Sequence, residues 1–194
     1  LPSGLFSVLT STDAAMIVVG TRGLGEFTGG LSASVSTAVA THASCAVTVV
    51  PLDTSLVDGA GRPVVVGVDG TDNSVPALRW AFEIASSRRA PLIAVHAWSD
   101  IDVPGGRGRS TEDEEAVLAE TMAGWSQDHP DVEVQRVVVQ DRPVRELVAR
   151  SAEAALVVVG RRGRGGFTSL LLGSTSRAVM HSVDVPVTVV PSPA

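Results

Sequence analysis

Residues 155–191 read ALVVVGRRGRGGFTSLLLGSTSRAVMHSVDVPVTVVP, and this segment is the most informative part of the sequence. A short apolar run at 155–160 leads into a glycine-rich segment, which is followed by a helical pattern at 174–181 and a second apolar run at 185–190. Such apolar runs are typical of strands buried on both faces of a parallel sheet. The segment therefore predicts a strand, a loop, a helix and a strand of an α/β fold.

The same pattern occurs twice in the chain. Residues 11–51 align with residues 151–191 at an offset of 140 positions without a gap, and 21 of the 41 aligned pairs are identical. Identity at this level and at one fixed offset indicates an internal repeat. We call residues 11–51 the first repeat and residues 151–191 the second repeat.

The residues between the repeats predict a complete domain around the second one. Residues 52–62 have the small, polar composition of a linker. After the linker, strand and helix patterns alternate, which indicates right-handed βαβ units and a parallel sheet. The predicted strands are 63–68, 91–98, 132–140, 155–160 and 185–190, and the predicted helices are 73–87, a helix from about 111, 144–154 and 174–181.

These patterns predict an α/β, Rossmann-like fold with an open five-stranded parallel sheet, helices on both faces, and a partial second copy. The partial copy supplies a fourth strand, a loop, a helix and a fifth strand. The division of the chain is therefore 1–51 for the C-terminal part of a first domain, 52–62 for a linker, and 63–194 for a complete second domain.

Composition excludes several kinds of chemistry. The 194 residues carry a net charge of −6, and all 15 basic residues are Arg, so neither a phosphate-loop lysine nor a Schiff base is available. The acidic balance argues against nucleic acid as a partner. No apolar run approaches the roughly 18 residues of a membrane helix. Cys45 is the single cysteine, which excludes a disulfide framework and predicts a cytoplasmic location.

The first strand of the second domain ends in GVDG, residues 67–70. In an open parallel sheet, ligands bind beyond the carboxyl ends of the strands, where the strand order reverses. Asp69 is therefore placed to accept a hydrogen bond from a ribose hydroxyl or a base amine. The alternative is that Asp69 and Asp72 only cap the following helix.

The glycine-rich loop after the fourth strand predicts a phosphate site. Glycines let backbone N–H groups face a phosphate chain, and Gly173 with Ser174 begins a helix, whose N-terminus favours anions. Arg161, Arg162 and Arg164 add positive charge. The alternative is an ordinary turn with solvated arginines. The lysine-containing phosphate-loop motif and the GxGxxG motif after the first strand are both missing.

The remaining titratable residues give weaker signals. The four histidines lack metal-ligand spacing and are interpreted as structural or surface residues, and no GxSxG segment supports serine-based catalysis. The acidic run 112–115 is interpreted as the solvated start of a helix. The histidines are His42, His96, His129 and His181.

At the glycine loop the chain resembles the universal stress protein family. The nucleotide-binding members carry G-x2-G-x9-G-[ST] after the fourth strand and an aspartate after the first. The resemblance covers 63–191 and, in part, 11–51. The matching residues here are Gly160, Gly163, Gly173, Ser174 and Asp69.

The resemblance implies a sheet in the order 3-2-1-4-5 with ATP, with or without Mg²⁺, at the switch point; AMP and cyclic AMP are alternatives. It places the main chain of Val95 and His96 beside adenine and Asp69 against the nucleoside. The full set of expected contacts is Gly67, Val68, Asp69, Gly70, Val95, His96, Gly160, Arg161, Arg162, Gly163, Gly166, Gly173, Ser174, Thr175 and Ser176.

The first repeat departs from this motif. Gly20 and Gly23 are present, but Ala33, followed by Ser34, replaces the third glycine. The strand that would carry the aspartate is absent from this chain. We therefore expect one functional nucleotide site per chain, in the second domain.

The fifth strands of the two copies, 45–50 and 185–190, are predicted to be apolar edge strands. Uncovered apolar edges aggregate, and in the resembled family the fifth strands of two domains pair. We therefore expect these two segments to associate, either within one chain or between chains.

The sequence leaves three candidate functions open. The first is a cytosolic ATP-binding regulatory protein of the stress response, which holds the nucleotide as a signal or structural ligand. The second is a slow ATPase or phosphotransferase, against which no positioned general base is visible. The third is a dimerising interaction module whose pocket prefers cyclic AMP or is empty.

Overall fold

The computed structural model describes residues 14–20, 35–51, 61–98, 110–164 and 171–192. Within these ranges the strands are β1 (Met16–Gly20), β2 (Ala46–Val50), β3 (Val64–Gly67), β4 (Leu92–Trp98), β5 (Val134–Gln140), β6 (Leu156–Gly160) and β7 (Val187–Val190). The helices are α1 (Val35–His42), α2 (Val75–Arg88), α3 (Thr111–Thr121), α4 (Trp125–Asp128), α5 (Pro143–Ser151) and α6 (Ser174–Ser182).

The described strands form one mixed sheet in the order β1-β2-β7-β6-β3-β4-β5. Strands β3 to β7 are parallel to one another, β1 is parallel to β2, and β2 is antiparallel to β7. The predicted α/β fold is confirmed. The predicted five-stranded sheet is part of a larger one, because the strands of the first repeat add to the open edge of β7.

The junction between β2 and β7 lies inside the sheet. Thr48 is opposite Thr188, and their buried hydroxyl oxygens are 2.8 Å apart. The Thr48 hydroxyl also lies 3.1 Å from the sulfur of Met16, to which it donates. The segments predicted as edges therefore pair here within one chain, and the backbone groups that an edge strand would expose are used in the ladder.

Helices cover both faces of the sheet. One face packs against α1, α5 and α6 through the buried residues Val39, Leu147, Val179 and Met180. The other face packs against α2 and α3 through Leu78, Phe82 and Leu118. Each such side chain stabilises the fold by roughly 1.5–3 kcal/mol. Among the described residues, no helix combines the length and apolar composition needed to cross a membrane.

The order of the strands places a crevice at the carboxyl ends of β3 and β6. From β3 the chain moves outward through β4 to β5, and it then returns to the other side of β3 to form β6 and β7. The connections after β3 and after β6 therefore diverge to opposite sides. Such a switch point is where open α/β sheets bind their ligands.

The paired threonines predict a measurable coupling across the junction. The substitution Thr48→Val removes the partner of the buried Thr188 hydroxyl, so we expect a loss of about 1 kcal/mol in the free energy of unfolding. The double variant T48V/T188V should lose less than the sum of the two single variants, because no unpaired hydroxyl remains. Urea unfolding of the three variants measures the coupling, and strictly additive losses would contradict it.

Candidate functional site

The turn after β3 and the loop after β6 contact each other directly at the crevice. A Cβ atom on Gly160 would lie 3.0 Å from the carbonyl oxygen of Asn73, and a Cβ atom on Gly163 would lie 3.1 Å from Oδ2 of Asp69. Both distances are tighter than ordinary packing allows. These two motif glycines therefore let the loop backbone lie against the turn, without a side chain between them.

The two carboxylate oxygens of Asp69 have different surroundings. Oδ1 accepts hydrogen bonds from the Thr71 amide at 2.9 Å, the Thr71 hydroxyl at 2.8 Å, and the Ser74 hydroxyl. Oδ2 is buried and has no hydrogen-bond partner in the described part of the chain. The expected capping of the following helix is not seen for Asp69, because the helix begins after Ser74 and the carboxylate instead holds the turn before it. Oδ1 holds the turn, and Oδ2 is an acceptor that fits a donor group of a ligand.

The start of α6 forms the opposite side of the crevice. Gly173 is the N-cap of this helix, and the hydroxyl of Ser176 donates to the carbonyl of Gly160 at 2.6 Å. The first amides of a helix lack partners within the helix and favour an anion. Ser174 is exposed and Thr175 half-buried in this first turn. The structure therefore brings Gly160, Gly173 and the start of α6 together, as the motif predicts.

Arg161 makes contacts that the sequence did not predict. Its amide donates to the Val190 carbonyl at 2.6 Å, and its carbonyl accepts from the Gly173 amide at 2.8 Å. Its Nη1 donates to the Ala43 carbonyl at 2.9 Å. Burial, together with the adjacent positive charge of Arg162, lowers the pKa of Arg161. The Nε atoms of Arg161 and Arg162 are buried without a partner among the described residues.

A buried pair lies beside the turn, at the end of β4. His96 is 0% exposed and Glu114 is 1% exposed. Nδ1 of His96 is 2.9 Å from the Val68 carbonyl, which can only accept, so Nδ1 carries a proton. Nε2 of His96 is 2.5 Å from Oε2 of Glu114, and Nη1 of Arg164 is 3.5 Å from the same oxygen. One further proton therefore lies between the imidazole and the carboxyl group.

The interpretation of residues 112–115 as a solvated helix start is wrong for one of them. Glu112, Asp113 and Glu115 are exposed, but Glu114 faces inward. Glu114 is four residues before the buried Leu118, so the two side chains share a helix face. The four-residue spacing from Leu118 could have predicted a buried glutamate, but the acidic residues on either side of Glu114 favoured a solvated segment.

The main chain expected beside adenine is partly used within the fold. The Val68 amide donates to the Val95 carbonyl at 2.8 Å, which ties the end of β3 to β4. His96 contributes its buried ring to the pair with Glu114. These hydrogen bonds hold the ends of β3 and β4 together. The carbonyl oxygen of Val95 has a second lone pair, which can accept a further hydrogen bond.

The two glycines of the GVDG segment are required for different structural reasons. A Cβ atom on Gly67 would lie 3.2 Å from Cδ1 of Leu147, so this position is small because of core packing. Gly70 has φ +74° and a Cβ atom there would clash with Cγ1 of Val117. Both the backbone conformation and the space therefore require glycine at position 70.

Several residues of the prediction lie outside the described part of the chain. They include Gly166 of the glycine loop and, in the first repeat, Gly23, Ala33 and Ser34. Gly20 is described and ends β1. The two glycine-rich segments can therefore be compared only in their amino-acid sequences.

The fold and the crevice define a Rossmann-like α/β protein with its candidate ligand site at the switch point of the sheet. The chain belongs to the universal stress protein family, whose model matches residues 5–51 and 61–191. Two universal stress proteins of Mycobacterium tuberculosis are 49% and 46% identical to it over 184 residues. These alignments cover 92% of this chain and 62% of each relative, so the chain spans less than two thirds of their length.

Solved structures support the same family assignment. A universal stress protein from Archaeoglobus fulgidus is 26% identical with a TM-score of 0.67, and the match covers 92% of this chain and 61% of that one. A universal stress protein in complex with cAMP is 29% identical with a TM-score of 0.53, and the match covers 69% of this chain and 99% of that one.

The proton between His96 and Glu114 predicts different effects for two substitutions. Glu114→Ala leaves a buried imidazole nitrogen without a partner and should cost about 3 kcal/mol of unfolding free energy. Glu114→Gln should cost clearly less, because its amide N–H can supply the proton to Nε2. Urea unfolding at pH 7 measures both, and equal losses for the two variants would contradict the shared proton.

Proposed function

We propose that this chain binds an adenine nucleotide, in the first place ATP, in the crevice between the ends of β3 and β6. The observation that carries the proposal is Oδ2 of Asp69, a buried acceptor without a partner that lies against Gly163 of the glycine loop. The structure of a family member in complex with cAMP supports the adenine nucleotide class.

Different residues of the crevice bind the nucleoside and the phosphates in this proposal. Oδ2 of Asp69 accepts from a hydroxyl or amine of the nucleoside, since its partner Oδ1 is used by the turn. The glycine loop and the first amides of α6, at Ser174 and Thr175, bind the phosphates. The chain has no Lys, so backbone amides and arginines such as Arg162 supply the positive potential. Mg²⁺ bound by ATP would neutralise further phosphate charge.

We propose a regulatory ligand in the stress response in preference to a substrate for hydrolysis. The carboxyl groups described at the crevice are engaged within the fold: Oδ1 of Asp69 holds the turn, and Glu114 holds His96. A general base for attacking water needs a carboxylate or imidazole that is free to reach it. In the proposed complex Oδ2 of Asp69 accepts from the nucleoside, and Glu114 is held by His96. Neither carboxyl group is then left to activate water, and this favours binding over turnover.

The same reasoning places one site in the second domain, over residues 63–194, with 1–51 as a partial first domain and 52–62 as the linker. The described groups of the crevice come from this second domain, and the corresponding glycine of the first repeat is Ala33. We also propose that the protein is cytoplasmic and that its chains associate with one another.

The acceptor role of Asp69 predicts a loss of nucleotide affinity in Asp69→Asn. The amide keeps an oxygen to hold the turn, but it places an N–H₂ donor where Oδ2 stood, and two donors then face each other. We expect ATP binding to weaken by at least tenfold, since an unmade hydrogen bond to a buried group costs about 1–3 kcal/mol. Calorimetric titration with ATP, AMP and cyclic AMP measures the effect and ranks the ligands.

The exposed Asp72, three residues later, provides the matched control. Asp72→Asn makes the same chemical change on the same turn and should leave the affinity unchanged. Wild-type protein that releases no adenine nucleotide on denaturation and binds none of the three ligands would disprove the proposed function.

The close approach at Gly173 predicts a second binding variant. A Cβ atom there would lie 3.3 Å from the Arg161 carbonyl oxygen and 3.6 Å from Cα of Arg162, so the larger Gly173→Val side chain would displace the loop backbone that is proposed to bind the phosphates. The backbone of Gly173 is extended, at φ −65° and ψ 151°, and permits valine. We therefore expect a folded protein, by circular dichroism, that no longer binds ATP.

Gly61→Ala is a suitable glycine control for this experiment. Gly61 is remote from the loop and has open space at its Cβ position, but φ +82° makes alanine strained. This variant should lose about 1 kcal/mol of stability and keep its ATP affinity. Retained ATP affinity in G173V would show that the phosphates bind elsewhere.

A further inference from the structure

We propose that Arg161 is a positioning residue through which the first repeat holds the phosphate side of the crevice in place. The proposal rests on the nucleotide-binding function proposed above and adds a role for the first repeat in it. The nucleotide site would then depend on residues 35–51, although these residues contribute no group to the crevice itself.

The main chain of Arg161 joins the parts of the phosphate side. Its amide is bonded to the end of β7 at Val190, and its carbonyl is bonded to the amide of Gly173, the N-cap of α6. The position of Arg161 therefore determines where the first turn of α6 lies relative to Gly160 and the end of β6. A displacement of this residue would move the amides that face the phosphates.

The side chain of Arg161 extends away from the second repeat and contacts the first. Its Nη1 lies 2.9 Å from the carbonyl oxygen of Ala43, the residue directly after α1. The amide of Ala43 still closes the last turn of that helix on Val39. Carbonyl groups at a helix C-terminus carry partial negative charge and favour a cationic donor. The half-buried guanidinium is therefore held by the end of a helix from the other repeat.

A second contact joins the same two regions. Oγ1 of Thr37 in α1 lies 3.1 Å from Nε2 of His181 in α6. The first contact reaches the glycine loop, and this one reaches the far end of α6. Thr37 therefore offers a control substitution at the same junction that leaves the loop untouched.

The first repeat has no arginine at the position aligned with Arg161. The aligned counterpart of the contact from Arg161 to Ala43 would join residue 21 to residue 183, and residue 21 is Thr. A threonine has neither the length nor the charge of arginine. The loop that keeps all three spaced glycines is thus also the loop that has an arginine at this position.

The test combines titration with ATP and hydrogen exchange. Arg161→Met keeps the aliphatic stem and removes the guanidinium, and we expect its ATP affinity to fall about tenfold, a typical coupling between two sites. Arg161→Lys keeps a charged donor and should bind ATP within about threefold of wild type. Thr37→Val should bind ATP as wild type does. Thermal unfolding shows whether each variant is folded.

Hydrogen exchange separates positioning from direct contact with phosphate. Coupling is reciprocal, so saturating ATP should slow amide exchange over residues 35–50 of the wild-type protein. The slowing should be absent in R161M. If Arg161 instead leaves Ala43 to bind the phosphates, ATP will leave exchange over 35–50 unchanged or accelerate it, and the proposal is overturned. This arm uses wild-type protein alone and remains decisive if R161M does not fold.

The titrations separate the positioning role from the nucleotide site itself. Wild-type affinity in R161M overturns the positioning role but leaves the proposed nucleotide site intact. An equal loss in T37V overturns it as well, because the effect would then reflect general loosening of the junction. A wild-type protein that binds no ATP, AMP or cyclic AMP overturns the proposed function itself, and the positioning role with it.

Discussion

Direct backbone contact between the turn after β3 and the loop after β6 is the constraint on which the site depends. Gly160 and Gly163 are both within about 3 Å, at their Cβ positions, of atoms in the turn, so neither position tolerates a side chain without movement. The contact brings an aspartate from the first strand of the domain beside a loop some 90 residues later. The parallel sheet makes this possible, because β3 and β6 are neighbours in the same direction.

The same contact gives the two carboxylate oxygens of Asp69 different surroundings. Structure within the turn uses Oδ1 of Asp69, through Thr71 and Ser74, and the other oxygen is left facing the loop. A carboxylate oxygen held by several donors keeps the whole group fixed in position. The site therefore has a preorganised acceptor, which lowers the cost of ordering the side chain when a ligand binds.

Sequence periodicity predicted the fold well where one signal dominated. The all-apolar runs of β3 and β6 and the glycine spacing from Gly160 to Gly173 predict buried strands and a tight loop without tertiary information. Element ends shifted by one to three residues, as in α2, which begins at Val75 after a short turn. Such shifts depend on local hydrogen bonds, here those of Ser74, which a pattern of apolar residues does not encode.

The rest of the site depends on contacts between distant residues. Glu114 is hidden in an acidic run, and its burial follows from the imidazole of His96 on a different element. The partner of Arg161 is a backbone carbonyl, which no side-chain pattern can show. Both contacts need the packed sheet before they exist, so they are accessible only from the three-dimensional structure.

The register of β2 against β7 has one further consequence. Thr48 and Thr188 are aligned positions of the two repeats, and they are opposite each other, while Val47 faces Val189 and Val49 faces Val187. A local two-fold axis therefore passes between the two threonines, and the junction is isologous in the sense used for symmetric homodimers. Each of the paired positions of β2 therefore has an equivalent position in β7 on the other side of this axis. Two of the departures from this symmetry, Thr21 against Arg161 and Ala33 against Gly173, fall in the glycine-rich segments of the repeats.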